Sequence, residues 1–404
     1  MPDRRFDLVL HGASGFVGRL VARHLRGGAG DARVALSGRS AERLRAVRDT
    51  LGVDWPVLAT DAHDPGSMAE LAASTRVVAT TVGPYQKYGL PLVEACAAAG
   101  TSYCDLTGET LFVRDSAAAA HERARETGAR IVHSAGFDSV PSDLGVLLLS
   151  QQAAADGAGT LGETALVVVS FKGGISGGTV DSLRTELATT EGDPSLRHVL
   201  ADPYALSPDR AADPDGRDET DRLLPHHDPL LGRWVAPYPF GPHDSRIVRR
   251  SNALLGHPYG PGFRYREYLA VGGGPAAPVV AGMVTAGLGA LVGGMRWAPT
   301  RALLDRALPS PGAGPSERTM SGGHFRIEVH TVTSSGARYV ATIAAQGDPG
   351  YAATAVIFGE AALALARDEL TSPGGVLTPA AALGEHLVHR LRAAGLTLTA
   401  ARHP

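Results

Sequence analysis

Gly12-Ala13-Ser14-Gly15-Phe16-Val17-Gly18 is the stretch on which the reading of this chain turns. It follows the short apolar run Asp7–Leu10 and opens a segment, Phe16–Leu25, whose apolar residues recur at helical spacing. A strand that turns directly into a helix through glycines brings backbone N–H groups to the positive end of that helix. Such a turn suits a pyrophosphate. The spacing is G-x-x-G-x-x-G rather than G-x-G-x-x-G. Glycines alone say little, but this triplet sits between strand and helix at the start of a β–α–β pattern, and there it predicts a dinucleotide site. All seven residues, Gly12 to Gly18, are expected to line it.

The pattern continues outward from the loop. Arg33–Leu36, Pro56–Ala59, Arg76–Thr80, Ser102–Asp105 and Arg130–His133 read as strands. Between them Ala41–Leu51, Ser67–Ala73, Leu90–Ala99 and Leu111–Thr127 read as helices, the first with Ser40 as N-cap. Strands alternating with helices predict a parallel, doubly wound sheet. After about Pro141 the texture changes. Leu166–Phe171 reads as a strand, and Phe325–Thr333 with Ala337–Ala345 reads as an antiparallel hairpin turning at Ser334–Gly336. Asp202–Pro261, rich in Pro, Asp, His and Gly, reads as a long irregular excursion, and His226-His227-Asp228 within it as solvated. Ala352–Ala366 and Thr378–Ala394 read as helices.

The second strand selects the cofactor. An NAD site ends that strand with a carboxylate for the ribose 2′-hydroxyl. Here it ends Ser37-Gly38-Arg39-Ser40. Arg39 can pair with a 2′-phosphate and Ser40 can add a hydroxyl, which favours NADP(H). Asp61, after the third strand, is placed for an adenine contact.

The 404 residues exceed one ordinary core, and the net charge of −3 offers nothing to nucleic acid. Two cysteines build no disulfide framework and fit a reducing cytoplasm; the charged Met1–Phe6 does not read as a signal peptide. Ala276–Met295 is charge-free and as long as a bilayer span. Its five glycines favour a helix or helix pair buried in protein, with a true bilayer span and a membrane-surface contact as the alternatives.

Three further loops each sit just beyond a predicted strand. They are Thr81-Val82-Gly83-Pro84-Tyr85-Gln86-Lys87-Tyr88-Gly89, Asp105-Leu106-Thr107-Gly108-Glu109 and Gly136-Phe137-Asp138-Ser139-Val140-Pro141-Ser142-Asp143. Strand ends of a parallel sheet face the ligand crevice, so these loops gather at one edge. Val82, Gly83 and Pro84 then form a turn against the cofactor. With Ser176-Gly177-Gly178-Thr179, Ile247-Val248-Arg249-Arg250-Ser251, Gly347-Asp348-Pro349-Gly350-Tyr351 and Leu377-Thr378-Pro379-Ala380, the constellation resembles the saccharopine dehydrogenase-like oxidoreductases. More narrowly, it resembles the trans-acting enoyl reductases of actinobacterial lipid and polyketide assembly.

That resemblance implies an α/β protein: a Rossmann-type parallel-sheet domain over 1–145 and an α+β substrate domain over 146–350 built on a mostly antiparallel sheet. The irregular excursion falls at 202–261, and C-terminal helices over 351–404 pack back on the first domain. It also implies an NADPH-dependent reductase of an activated C=C bond. The carboxylate-binding residues of the lysine-pathway enzymes find no counterpart here. C–N or C=O redox on an amino-acid-like substrate is the alternative activity, and a non-catalytic, lipid-associated nucleotide binder is the alternative outside enzymology.

Enoyl reduction needs a hydrogen-bond donor for the thioester oxygen and an acid for the α-carbon. Tyr85 is the first candidate acid, with Lys87 and Tyr88 behind it. Asp105, Glu109, Asp138 and Lys172 are expected to bind substrate or organise loops, and no residue at ligand spacing predicts a metal. An acyl or polyketide thioester, free or carried on an acyl carrier protein, is the expected substrate. Arg246, Arg249 and Arg250, with Arg264 and Arg266, form the candidate docking patch for that carrier. The segment 276–295 would line an acyl tunnel or touch lipid, placing the protein in the cytoplasm or at a membrane surface.

Overall fold

The computed structural model describes residues 4–173, 177–214, 219–296, 299–300 and 317–403. Ser176 of the quoted motifs lies outside them. Two seven-stranded sheets organise the chain. The first contains β1 (Phe6–His11), β2 (Val34–Gly38), β3 (Val57–Ala59), β4 (Thr75–Thr80), β5 (Ser102–Cys104), β6 (Arg130–Val132) and, from far down the chain, β13 (Gly375–Leu377). Its order is β13-β6-β5-β4-β1-β2-β3 and every pairing is parallel. The chain reverses its direction of build-up between β1 and β4, so a crevice opens beyond the carboxyl ends of those two strands.

Local chemistry accounts for the connecting helices. In α1 (Phe16–Gly28), Gly18, Val21, Ala22 and Leu25 are buried, a stripe at helical spacing. The side chain of Ser40 accepts from Arg43 N–H to start α2 (Ala41–Leu51), which ends on Gly52 at φ +63°. Asp64 caps α3 (Pro65–Ser74). The short α4 (Tyr85–Tyr88) and then α5 (Leu90–Ala99) follow β4, and α6 (Thr110–Thr127) follows β5.

α7 (Val140–Ala155) joins the sheets. Twelve of its sixteen residues are buried, and it is apolar on nearly every side because protein surrounds it on nearly every side. A Cβ added at Gly145 would come within 2.8 Å of Val329, so glycine lets this helix press onto the second sheet. One core therefore runs from Leu8 and Val132 through Leu144 and Leu148 to Val329 and Ile343. A boundary at 145 falls inside this helix.

The second sheet comprises β7 (Leu161–Lys172), β8 (His226–Asp228), β9 (Arg233–Pro237), β10 (Arg264–Ala270), β11 (His324–Thr333), β12 (Arg338–Gln346) and β14 (Thr397–His403), in the order β14-β12-β11-β7-β10-β9-β8. Only β7 and β10 pair in parallel. The helices beyond α7 are α8 (Gly177–Gly192), α9 (Leu196–Ala201), α10 (Gly241–Leu254), α11 (Ala277–Arg296), α12 (Glu317–Ser321), α13 (Thr354–Arg367), α14 (Pro379–Ala382) and α15 (Gly384–Ala393).

Several expectations need correction. The segment 202–261 is not irregular throughout: it holds β8, β9 and the largely buried α10. Its Pro and Asp residues punctuate short elements, and His226–Asp228 is an edge strand. Thr378–Ala394 is two helices, broken at Gly384 with φ +44°. The tail 351–404 supplies a strand to each sheet as well as helices, because a short strand such as Gly375–Leu377 carries too little pattern to be seen alone. Ala276–Met295 is one continuous, mostly exposed helix rather than a buried helix or pair.

Candidate cofactor and reduction site

The glycine loop leaves the end of β1 and packs under the N-terminus of α1. Gly12 has φ +84°, and a Cβ there would come within 2.8 Å of Thr81 Oγ1 and Val82. A Cβ at Gly18 would lie 2.2 Å from the carbonyl oxygen of Gly12. Bare backbone at both positions holds the helix against the loop, so the N–H groups at its start face the crevice. Thr81 donates to Gly12 O at 3.2 Å, tying the β4 loop to the glycine loop. His11, Ser37 and Thr60 hydrogen-bond in turn across the ends of β1, β2 and β3. The cradle fits a dinucleotide: its walls are backbone where a pyrophosphate needs close approach. Arg39 and Arg43 are exposed beside it. Ser14 and Arg43 line a cavity of 560 Å³ that continues between α1 and α2. Asp61 is exposed at the end of β3 and accepts from His63 N–H.

The β4, β5 and β6 loops meet at the other side of the crevice, held by buried polar contacts. Asp105 is fully buried and accepts from Tyr103 OH, Thr107 N–H and Ser134 N–H, and it lies 2.7 Å from His133 Nδ1. Glu109 accepts from Tyr85 N–H at 3.0 Å and Gln86 N–H at 2.7 Å, so its carboxylate caps α4. His243 of α10 reaches across: Nδ1 lies 3.0 Å from Thr110 Oγ1 and Nε2 lies 2.9 Å from Ser134 Oγ. Burial pulls its pKa down to about 3, so it serves as a neutral latch between the second domain and these loops.

Tyr85 is placed differently from the sequence expectation. Its hydroxyl points inward, donating to Thr80 O and accepting from Leu106 N–H, and its ring stacks on Phe112. Burial drives its pKa well above the phenol range. Lys87 is exposed, with its ammonium held by the Tyr88 side chain, which raises its pKa. Tyr88 turns its ring toward His63, on the β3 side of the crevice. The structure therefore does not bring the three candidates together as one acid. Lys172 ends β7 in solvent.

Sequence reasoning missed Glu186. It stands on α8, where Asp181 lies within electrostatic reach of Lys87, and Glu186 within reach of Glu109 and Arg246. Burial, then the Glu109 charge, push the Glu186 carboxyl up to about 7 against the pull of Arg246. Asp138, beyond β6, is raised by burial to about 6. Deeper in, burial raises the carboxyls of Asp244 and Glu267, Glu267 to about 8, and the Glu267 charge adds to the rise at Asp244. Nothing in the local pattern of α8 distinguishes Glu186 from a surface glutamate. Its environment comes from Arg246 of α10 and from Glu109 beyond β5.

A trans-acting enoyl reductase of Mycobacterium ulcerans is 47% identical, covering 99% of each chain. One of Mycobacterium tuberculosis is 46% identical, again over 99% of each chain. The chain belongs to the trans-acting enoyl reductase family. Residues 8–132 match the saccharopine dehydrogenase NADP binding domain. The fold matches saccharopine dehydrogenase (L-Glu forming) of Saccharomyces cerevisiae with a TM-score of 0.55 at 13% identity, covering 98% of this chain and 99% of that one.

This family member is thus an NADP-dependent oxidoreductase, and we propose the glycine cradle as the place where its cofactor is held. We assign the 2′-phosphate to Arg39, Ser40 and Arg43. Arg39→Ala with Arg43→Ala is expected to weaken NADPH roughly 10- to 100-fold while leaving NADH nearly unchanged, the scale of two charge-assisted contacts. Titrations by nicotinamide fluorescence measure this, and a parallel loss for both cofactors would remove the arginines from that role.

Three of the five arginines of the docking patch are buried, while Arg264 and Arg266 are half-buried and paired with Glu219 and Glu163. Arg246, Arg249 and Arg250 are 1%, 3% and 2% exposed. Arg249 pairs with Glu219 at 3.0 Å, Arg246 with Asp221 at 3.0 Å, and Arg250 donates to Leu206 O and Val376 O. Their charges and donors hold α10 to neighbouring segments and to β13.

Proposed function

We propose that the protein reduces the C=C bond of an α,β-unsaturated acyl or polyketide thioester presented by a separate synthase or its carrier domain. Full-length kinship carries this reading, since it spans α8 and the second sheet as well as the nucleotide domain. NADPH held in the cradle supplies the hydride. The chain's own task is to balance the charge that develops on the thioester and to deliver a proton to the α-carbon. Glu186 is the proposed donor. With its pKa raised to about 7 its carboxyl is about half protonated at neutrality, and α8 carries it within electrostatic reach of Glu109, beyond β5. Tyr85 is withdrawn from that role because its oxygen is occupied at both partners. Asp105 and Glu109 position the loops. An amino-acid substrate would call for arginines open to the crevice, and Arg246, Arg249 and Arg250 are buried and committed elsewhere.

The test follows NADPH oxidation with an α,β-unsaturated N-acetylcysteamine thioester, against an α-keto acid with ammonium. Turnover of the thioester is expected. Turnover of the keto acid alone would transfer the site to C–N chemistry.

A further inference from the structure

α11 is at odds with a water-soluble surface. No charged residue occurs between Glu267 and Arg296, and a helix of twenty residues is about 30 Å long. Only 11% of the stretch Ala277–Met295 is buried. The chain handles its comparable apolar helix in the opposite way: Pro349–Arg367 is 78% buried.

The helix has a protein-facing and an outward side. Ala277, Ala281 and Met295 are buried, and α11 packs against β9 and β8. Outward, Val279 and Met283 are each 63% exposed. From Val279 to Gly293 the exposed positions carry only Val, Met, Ala and Gly. Thr285 has the sole side-chain hydroxyl, and it donates to Ala281 O within the helix. The outward face therefore offers no side-chain hydrogen bond. At the same sheet edge, Leu223 and Leu224, 62% and 75% exposed, lead into β8.

This pattern selects the occupant. A surface helix turns a polar face to water, and a helix apolar all round is enclosed by protein or lipid. Interfaces between soluble proteins carry a hydrogen bond for roughly every 100–200 Å² and a polar rim. Hydrocarbon asks for neither. We propose that α11 docks the protein on a lipid bilayer, lying in the interfacial plane with Val279 and Met283 in the acyl region and its inner stripe on β9 and β8. This rests on exposure and composition and is independent of the substrate assignment.

The full chain is mixed with vesicles of phosphatidylcholine and phosphatidylglycerol and floated on a sucrose gradient. The wild type is expected to rise with the vesicles. Val279→Glu with Met283→Glu is expected to lower the partition coefficient roughly tenfold or more. The variant's NADPH affinity and melting curve should be unchanged, since both positions are exposed and distant from the glycine cradle. Equal flotation of the two proteins, or failure of the wild type to float, overturns the proposal. So does a lipid-independent dimer, seen by sedimentation, that the double variant dissolves: the face would then belong to a second copy.

Discussion

Gly18→Val is expected to weaken NADPH at least ~100-fold, about 2.7 kcal/mol, while the protein remains folded. The first atom of any side chain at Gly18 would stand 2.2 Å from Gly12 O and 2.8 Å from Ala13 Cα. Neither neighbour is the free end of a flexible side chain. The start of α1 must move off the loop, and the backbone donors aimed at the pyrophosphate move with it. Overpacking costs about 1–3 kcal/mol in a well-filled core, and here it falls on the binding geometry. Gly27 is the control, because a Cβ there meets nothing within 4 Å. Fluorescence titration and thermal melts separate affinity from unfolding. A Gly18→Val protein that melts normally and binds NADPH like wild type would falsify the cradle assignment.

Glu186→Gln is expected to lower kcat by about 10²–10⁴, the usual contribution of a positioned general acid, with little change in NADPH affinity. The pH profile gives the sharper readout. The carboxyl is raised to about 7 and must be protonated to donate. In the wild type kcat should therefore level off at pH below about 7 and fall as pH rises through it. In the glutamine variant that limb should vanish. Removing the Glu109 charge by Glu109→Gln should shift the limb to lower pH, since this carboxylate is one source of the upward shift. A profile unmoved by Glu186→Gln would transfer the role to another group, with Asp138 the next carboxyl to examine.

The legible parts of the molecule were those written in local pattern. The Gly12–Gly18 turn, the strand–helix alternation, the Ser40 cap and the β11–β12 hairpin follow from steric freedom, apolar periodicity and capping chemistry among residues close in sequence. The place of Arg39 just after β2 was legible for a related reason, and its proposed role rests on that place. Tyr85 illustrates the opposite. Its position beside the Gly83-Pro84 turn was readable, but the direction of its hydroxyl depends on Thr80 O and Leu106 N. The arginines of α10 looked like a surface patch because their partners, Glu219, Asp221 and Leu206, come from other segments.

The sequence by itself determined the nucleotide fold and the cofactor class, because glycine stereochemistry and short-range periodicity act within a few residues. Tertiary structure alone decided which charges are buried and paired, which carboxyl has its pKa raised by burial and which apolar helix faces outward. Those properties depend on desolvation and on partners more than a hundred residues away for His243 and Ser134 or Arg250 and Val376. No local pattern encodes a neighbour that only folding supplies.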